Sequence, residues 1–262
     1  MLETTRFEAE RLLLSSAVIA IGLAAFGGMM TLLAPGILGD IDLGALLEQL
    51  PPVLVEGFDL GKMGTIEGFV ALELYQFVWV LGLGAYLAYS AAGTVAGDVE
   101  DGRMDTLLAA PISRSRLLVE KYLALLTPVI VVNLVVFVAV YAAAAFVDEP
   151  LPLADLAAVH LLSVPYFLAL AAFGMLASVA APRRLFAEGV AAGAVVGAFP
   201  IQQVVRGTGV DWLGAVAPMR YYDPLTILTA GQYDIGGAAV LLAAAAVLLL
   251  ASAWLFGRVD VR

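Results

Sequence analysis

Long apolar runs alternate with short polar ones along this chain, at a spacing suited to helices that cross a bilayer. A hydrocarbon core of about 30 Å takes a helix of about 20 apolar residues. Six such runs occur, at about 12–34, 69–91, 119–147, 157–181, 185–205 and 236–257. The first opens on Leu12-Leu13-Leu14 and closes at Pro35, the third holds Val129 to Val140 almost unbroken, and the fourth contains Pro165. This pattern predicts an all-α integral membrane protein with six transmembrane helices, in a single domain over 1–262. The first run is too long for a removable signal and lacks a cleavage site.

Three connections are more than turns. The 35–68 segment contains LGALLEQL, a short amphipathic helix that ends at Pro51-Pro52. The 206–235 segment carries Trp212, Pro218, Tyr221, Tyr222 and Pro224, which read as re-entrant or interfacial helix before the sixth span. The 92–118 segment is the most polar stretch close to the membrane. With the N-terminus inside, ten of the thirteen basic residues fall on the inner side, and only Lys62, Arg206 and Arg220 lie outside. Basic residues accumulate on the cytoplasmic side. The expected topology is therefore N-in and C-in, in the plasma membrane.

Composition narrows the picture. The chain is 62% hydrophobic and 14% charged, against about 45–50% apolar and about 25% charged in soluble domains. Lipid must be its solvent. A net charge of −10 excludes a nucleic-acid partner. Acidic loops with two lysines and no cysteine point to a halophilic source, an archaeon, where carboxylates hold water at high salt. Without cysteine there is no thiol nucleophile or thiolate metal site. His160 is the single histidine and does not make a metal site. Helical HExxH and the GxSxG elbow are absent, so no catalytic residue is assigned. Gly57 to Met63 approaches a phosphate loop but is one residue short and has no following Ser or Thr. ATP chemistry has no machinery here.

The 92–118 segment carries the functional candidates. Arg103 to Ala110 can form two helical turns with Met104, Leu107 and Leu108 on one face, between Gly102 and Pro111. Ser113 suits an N-cap for the third span. Such a helix, with an apolar knob and charged flanks, suits docking in a partner's groove; the same amphipathic pattern suits a helix resting on lipid headgroups. The candidate coupling residues are Glu100, Gly102, Arg103, Met104, Leu107, Leu108, Pro111, Ile112, Ser113 and Arg114.

EDGRMDTLLAAPISRSRLL resembles the cytoplasmic loop of ABC-2-type transporter permeases, where an acidic residue, a Gly, a short Leu-rich helix and a Pro-hydrophobic-Ser-Arg turn recur. LEQLPPVLVEGF, TIEGFVALELY and APMRYYDPLTIL are similar to that family's first outer loop, second-span entrance and last outer segment. Met104-Asp105-Thr106 departs from the family's hydroxyl-then-hydrophobic order after the Gly-basic pair. The resemblance implies an exporter-type permease, itself no enzyme and holding no cofactor. ATP and Mg²⁺ would sit on a separate cytoplasmic ATPase subunit, and a second permease copy, identical or paralogous, would complete the complex. The loop at about 98–116 would be the coupling helix, and residues 1–11 an elbow helix. The rival readings are an ion-gradient-driven secondary transporter and a non-transporting membrane scaffold or mechanical relay.

Four further features stand out. Gly189, Gly193 and Gly197 repeat every four residues in the fifth span, a spacing that lets helices approach closely, within one subunit or between two. Glu73 lies near the outer end of the second span, within reach of water. Asn133, in mid-span, suits an interhelical hydrogen bond. Arg183-Arg184 enforce topology.

Overall fold

The computed structural model describes residues 3–40, 42–109, 112–181, 183–205 and 210–258, excepting the side chains of residues 211 and 213. Of the positions read above, Ala110, Pro111, Arg206 and Arg262 lie outside that set. Among the described residues the regular structure is helical throughout. Six helices are long and apolar enough to cross a membrane, and each contains one of the six apolar runs. The protein is a multi-pass membrane protein.

The first span is α1, Glu3–Asp40. Short helices α2 (Leu43–Glu48) and α3 (Pro52–Gly57) follow, then a 3-10 turn over Leu60–Gly64. The second span runs without interruption through α4 (Ile66–Val70), a π-helical stretch (Ala71–Leu83) and α5 (Gly84–Glu100). After α6 (Arg103–Leu108), α7 (Arg114–Ala124) and α8 (Leu126–Phe146) form the third span, divided by a turn at Leu125. The fourth is α9 (Leu153–Ala180) and the fifth α10 (Arg184–Val205). Two 3-10 turns and α11 (Pro224–Ala230) lead to the sixth, α12 (Ile235–Phe256).

Local sequence sets the short helices. Asp42, Thr65, Asp223 and Asp234 each accept a hydrogen bond from the backbone N–H three residues on, satisfying donors that a helix start leaves open. The sequence places the end of the first span at Pro35, yet α1 continues to Asp40. Proline costs that helix one hydrogen bond without forcing it to stop, as is common in membrane helices. Residues 1–11 were expected as a separate elbow, but from Glu3 onward they extend the first span. No Gly or Pro interrupts 3–21, and Arg6–Glu10 and Arg11–Glu8 pairs at helical spacing support the continuous helix.

The bundle is built around α9. It packs along α5 and α12, while α10 packs on α5 and α1 on α8. α9 is joined to the second span by backbone contacts as well as apolar ones. Tyr166 donates to the Val80 carbonyl oxygen at 2.9 Å, and Ser178 Oγ accepts from the N–H groups of Val95 at 3.0 Å and Ala96 at 2.9 Å. At Gly174 the helices are so close that an added Cβ would run into the Ala88 carbonyl oxygen. In lipid, where every backbone group must be satisfied by protein, such bonds tie spans together.

Gly174→Ala should lower the melting temperature of the detergent-solubilised protein, by overpacking worth about 1–3 kcal/mol. Gly189→Ala, where an added Cβ meets nothing within 4 Å, should leave it unchanged or raise it. Equal melting of both variants would refute the close contact.

Candidate functional site

One end of the bundle gathers the charged residues that the sequence scatters. The loop between the second and third spans, the start of α1 and the start of α10 meet there. Gly102 turns the chain into α6 with φ +68, a left-handed conformation that glycine adopts at little cost. Ser113 starts α7 by accepting from the Arg116 N–H at 3.3 Å.

α6 turns its apolar face inward. Met104 is buried, and Leu107, Leu108 and Ile112 are half-buried against the core. The apolar knob, read from the sequence as suited to a partner's groove or to lipid headgroups, is thus spent within the chain. What α6 shows outward is Arg103, Asp105 and Thr106, beside exposed Glu100 and Asp101. Spacing alone identifies an apolar face; it does not say what covers it.

The flanking residues fasten this loop to three spans. Glu100 Oε1 accepts from the Arg184 N–H at 2.8 Å, a carboxylate placed at the first residue of α10, where the helix dipole favours negative charge. Arg114 Nη1 donates to the Phe256 carbonyl oxygen at 3.2 Å, and its guanidinium lies 5.8 Å from the Phe256 ring, so a cation closes the C-terminus of α12. Arg103 pairs with Asp98 at 3.0 Å and Asp101 at 2.8 Å, bracing α6 against the end of α5. Sequence reasoning found Glu100, Arg103 and Arg114 by family pattern, but not these partners.

It missed Lys121, Asp98, Glu8 and Glu120 as a set. The buried Lys121 ammonium sits 2.5 Å from Asp98 and 2.7 Å from Glu8, so one cation joins α7, α5 and α1. Glu120, also buried, pairs with Arg116 at 2.8 Å and accepts from the Thr4 N–H at 3.2 Å. A buried acidic-basic alternation around 116–121 is the only signal the sequence offered. Alongside lies a half-open cavity of about 270 Å³, bounded by α1, α5, α7 and α10, with Tyr86, Tyr89, Ser90 and Thr94 in its wall. Arg184 and the buried Glu188 pair along α10 in its wall at 2.7 Å.

Elsewhere the candidates part. Gly189, Gly193 and Gly197 all lie on the exposed face of α10, with nothing within 4 Å of where a Cβ would stand. They therefore make no close helix contact inside this subunit. Glu73 is half-buried in the π-helical stretch, without a salt bridge among the described residues. Asn133 joins α8 to α9 through His160 and Ser163. Among the described residues no cluster of His, Asp and Glu could hold a metal.

Comparison with protein-family models matches residues 20–261 to the ABC-2 family transporter protein. A search of curated proteins finds no match.

Lys121→Met should destabilise the protein, by up to about 3–5 kcal/mol, because it takes the shared ammonium from two carboxylates in a poorly solvated place and leaves Asp98 only Arg103 and Glu8 only Arg11 among the described residues. Removing one of them as well, in Lys121→Met/Asp98→Asn, should recover part of the loss of thermal stability in detergent. No recovery would show that the pair is not coupled.

Proposed function

The chain belongs to the ABC-2 family of transporter proteins, and from that premise we propose that it is the permease half of an ATP-driven exporter. The loop end faces the cytoplasm, with N-in and C-in topology. A separate ATPase subunit supplies the energy and carries ATP and Mg²⁺, so this chain is not itself an enzyme. The observation that carries the reading is the fastening of α6. A short helix braced by Arg103, Glu100 and Arg114 to the second, fifth and sixth spans can pass a push from below into the membrane as rigid-body movement.

The docking surface on this reading is the polar face of α6, with Asp101, Asp105, Thr106 and Glu100. A partner groove lined by basic residues complements it. Met104, Leu107 and Leu108 hold the helix in place from behind rather than meeting the partner. The second permease copy lies along α10. Gly189, Gly193 and Gly197 leave a shallow face there, flanked by exposed Leu185, Phe186, Val190 and Val196. Small residues in such a face allow two helices to approach closely in lipid. The cavity lined by Tyr86, Tyr89, Ser90 and Thr94 supports an amphipathic cargo, with a polar head at the membrane edge and an apolar body in the bilayer.

Gentle extraction at high salt and co-purification test the reading. A stoichiometric ATP-hydrolysing subunit should accompany the chain and be lost from Asp105→Arg, a change at an exposed position on that face. A folded chain that repeatedly purifies alone would overturn it. For the α10 face, Gly193→Leu should abolish the dimer on a native gel while the monomer stays folded; an unchanged dimer would remove α10 from the interface.

A further inference from the structure

The second span is the only described stretch in which the helix widens to π geometry, and it does so for 13 residues. A Gly84 N–H bond to the Trp79 carbonyl oxygen, five residues back, marks that register. π-Helix is rare, normally a single turn, and gathers at functional sites. Something must hold this one, and it stands directly above α5 and α6, which carry the candidate docking surface.

Two groups of contacts hold it. Tyr166 of α9 donates to Val80 O inside the stretch. At the other end, Tyr75 meets His160 Nε2 at 2.9 Å, and His160 Nδ1 meets Asn133 Oδ1 at 3.0 Å. Asn133 Nδ2 donates to the Val129 carbonyl oxygen at 2.8 Å, which leaves Oδ1 to accept. The Nδ1–H of a neutral imidazole then donates to Asn133, and Nε2 accepts the Tyr75 proton. The chain of bonds is directional and every member is used. It links the π stretch, α9 and α8, and Trp79, Phe137 and Tyr75 pack their rings around the imidazole at centroid distances of 5.0, 5.5 and 5.5 Å. Within the stretch the buried Trp79 indole N–H has no hydrogen-bond partner among the described residues.

We propose that Tyr75, His160 and Asn133 form a latch that holds the second span in its π form, and that opening the latch lets the span relax to α-helix and lengthen between its outer end and α6. The direction follows from helix geometry. Rise per residue falls as a helix widens, from about 2.0 Å in a 3-10 helix to about 1.5 Å in an α-helix. A π-helix, wider still, rises less, so conversion to α lengthens the span. The outer end packs through α4 on α1 and the inner end is braced through α6, so the added length bears on both ends. The latch is a property of this chain alone and holds whichever partner docks below.

The chain lacks cysteine, so a Gly61→Cys/Thr106→Cys variant takes two spin labels cleanly, both at exposed positions. Distances between them, measured by pulsed electron resonance in lipid vesicles, should give a single population in the otherwise native chain. Tyr75→Phe, which removes one oxygen atom, and His160→Phe, which keeps an aromatic ring, should each add a longer-distance population. If His160→Phe does not fold, Tyr75→Phe alone decides. A native distribution in Tyr75→Phe, or one broadened around the native mean, overturns the latch.

Discussion

A lysine ammonium taken out of water at the edge of a membrane must be surrounded by opposite charge, and Lys121 organises the lower bundle around that demand. Its two carboxylates come from different spans, Asp98 from α5 and Glu8 from α1, and Asp98 passes the connection on to Arg103 of α6. Buried charge is costly unless paired. The ends of the first three spans are therefore held together by a requirement of electrostatics, and α6 is held with them. Glu100 and Arg114 extend the same logic to α10 and α12, where each charge meets the helix end whose dipole it complements.

At the level of the whole bundle the controlling element is α9. Lipid offers no hydrophobic force between helices, so contact depends on fit and on hydrogen bonds. α9 supplies both to the second span: Gly174 permits close approach to Ala88, and Tyr166 and Ser178 make hydrogen bonds to its backbone. The α1–α8 pair lies against this group with fewer direct contacts, and the His160 bonds to Asn133 cross that boundary. A bundle made of well-joined groups, bridged at a few polar points, is suited to move as rigid parts.

Much of this was legible in the sequence because the bilayer imposes a strong pattern. Six runs of the right length gave six helices, and Gly102 and Ser113 marked the ends of the inner loop by backbone and capping chemistry that is local. Partners distant in sequence were not legible: Arg114 finds Phe256 and Glu100 finds Arg184 only once the spans are packed. The π form of Ala71–Leu83 was hidden for the same reason, since its apolar residues suit either helix and the holding groups come from α8 and α9. Periodicity likewise identified the stripes on α6 and α10 without saying which way they face. One turned inward and the other outward.

On the proposed reading, α6 is the element that meets an ATPase through its polar face. A photoreactive amino acid at Thr106, exposed on that face, tests it directly in intact cells. The expected product is one crosslink, to a soluble subunit carrying a phosphate-binding loop. Crosslinks confined to lipid, or to another copy of this chain, would contradict it.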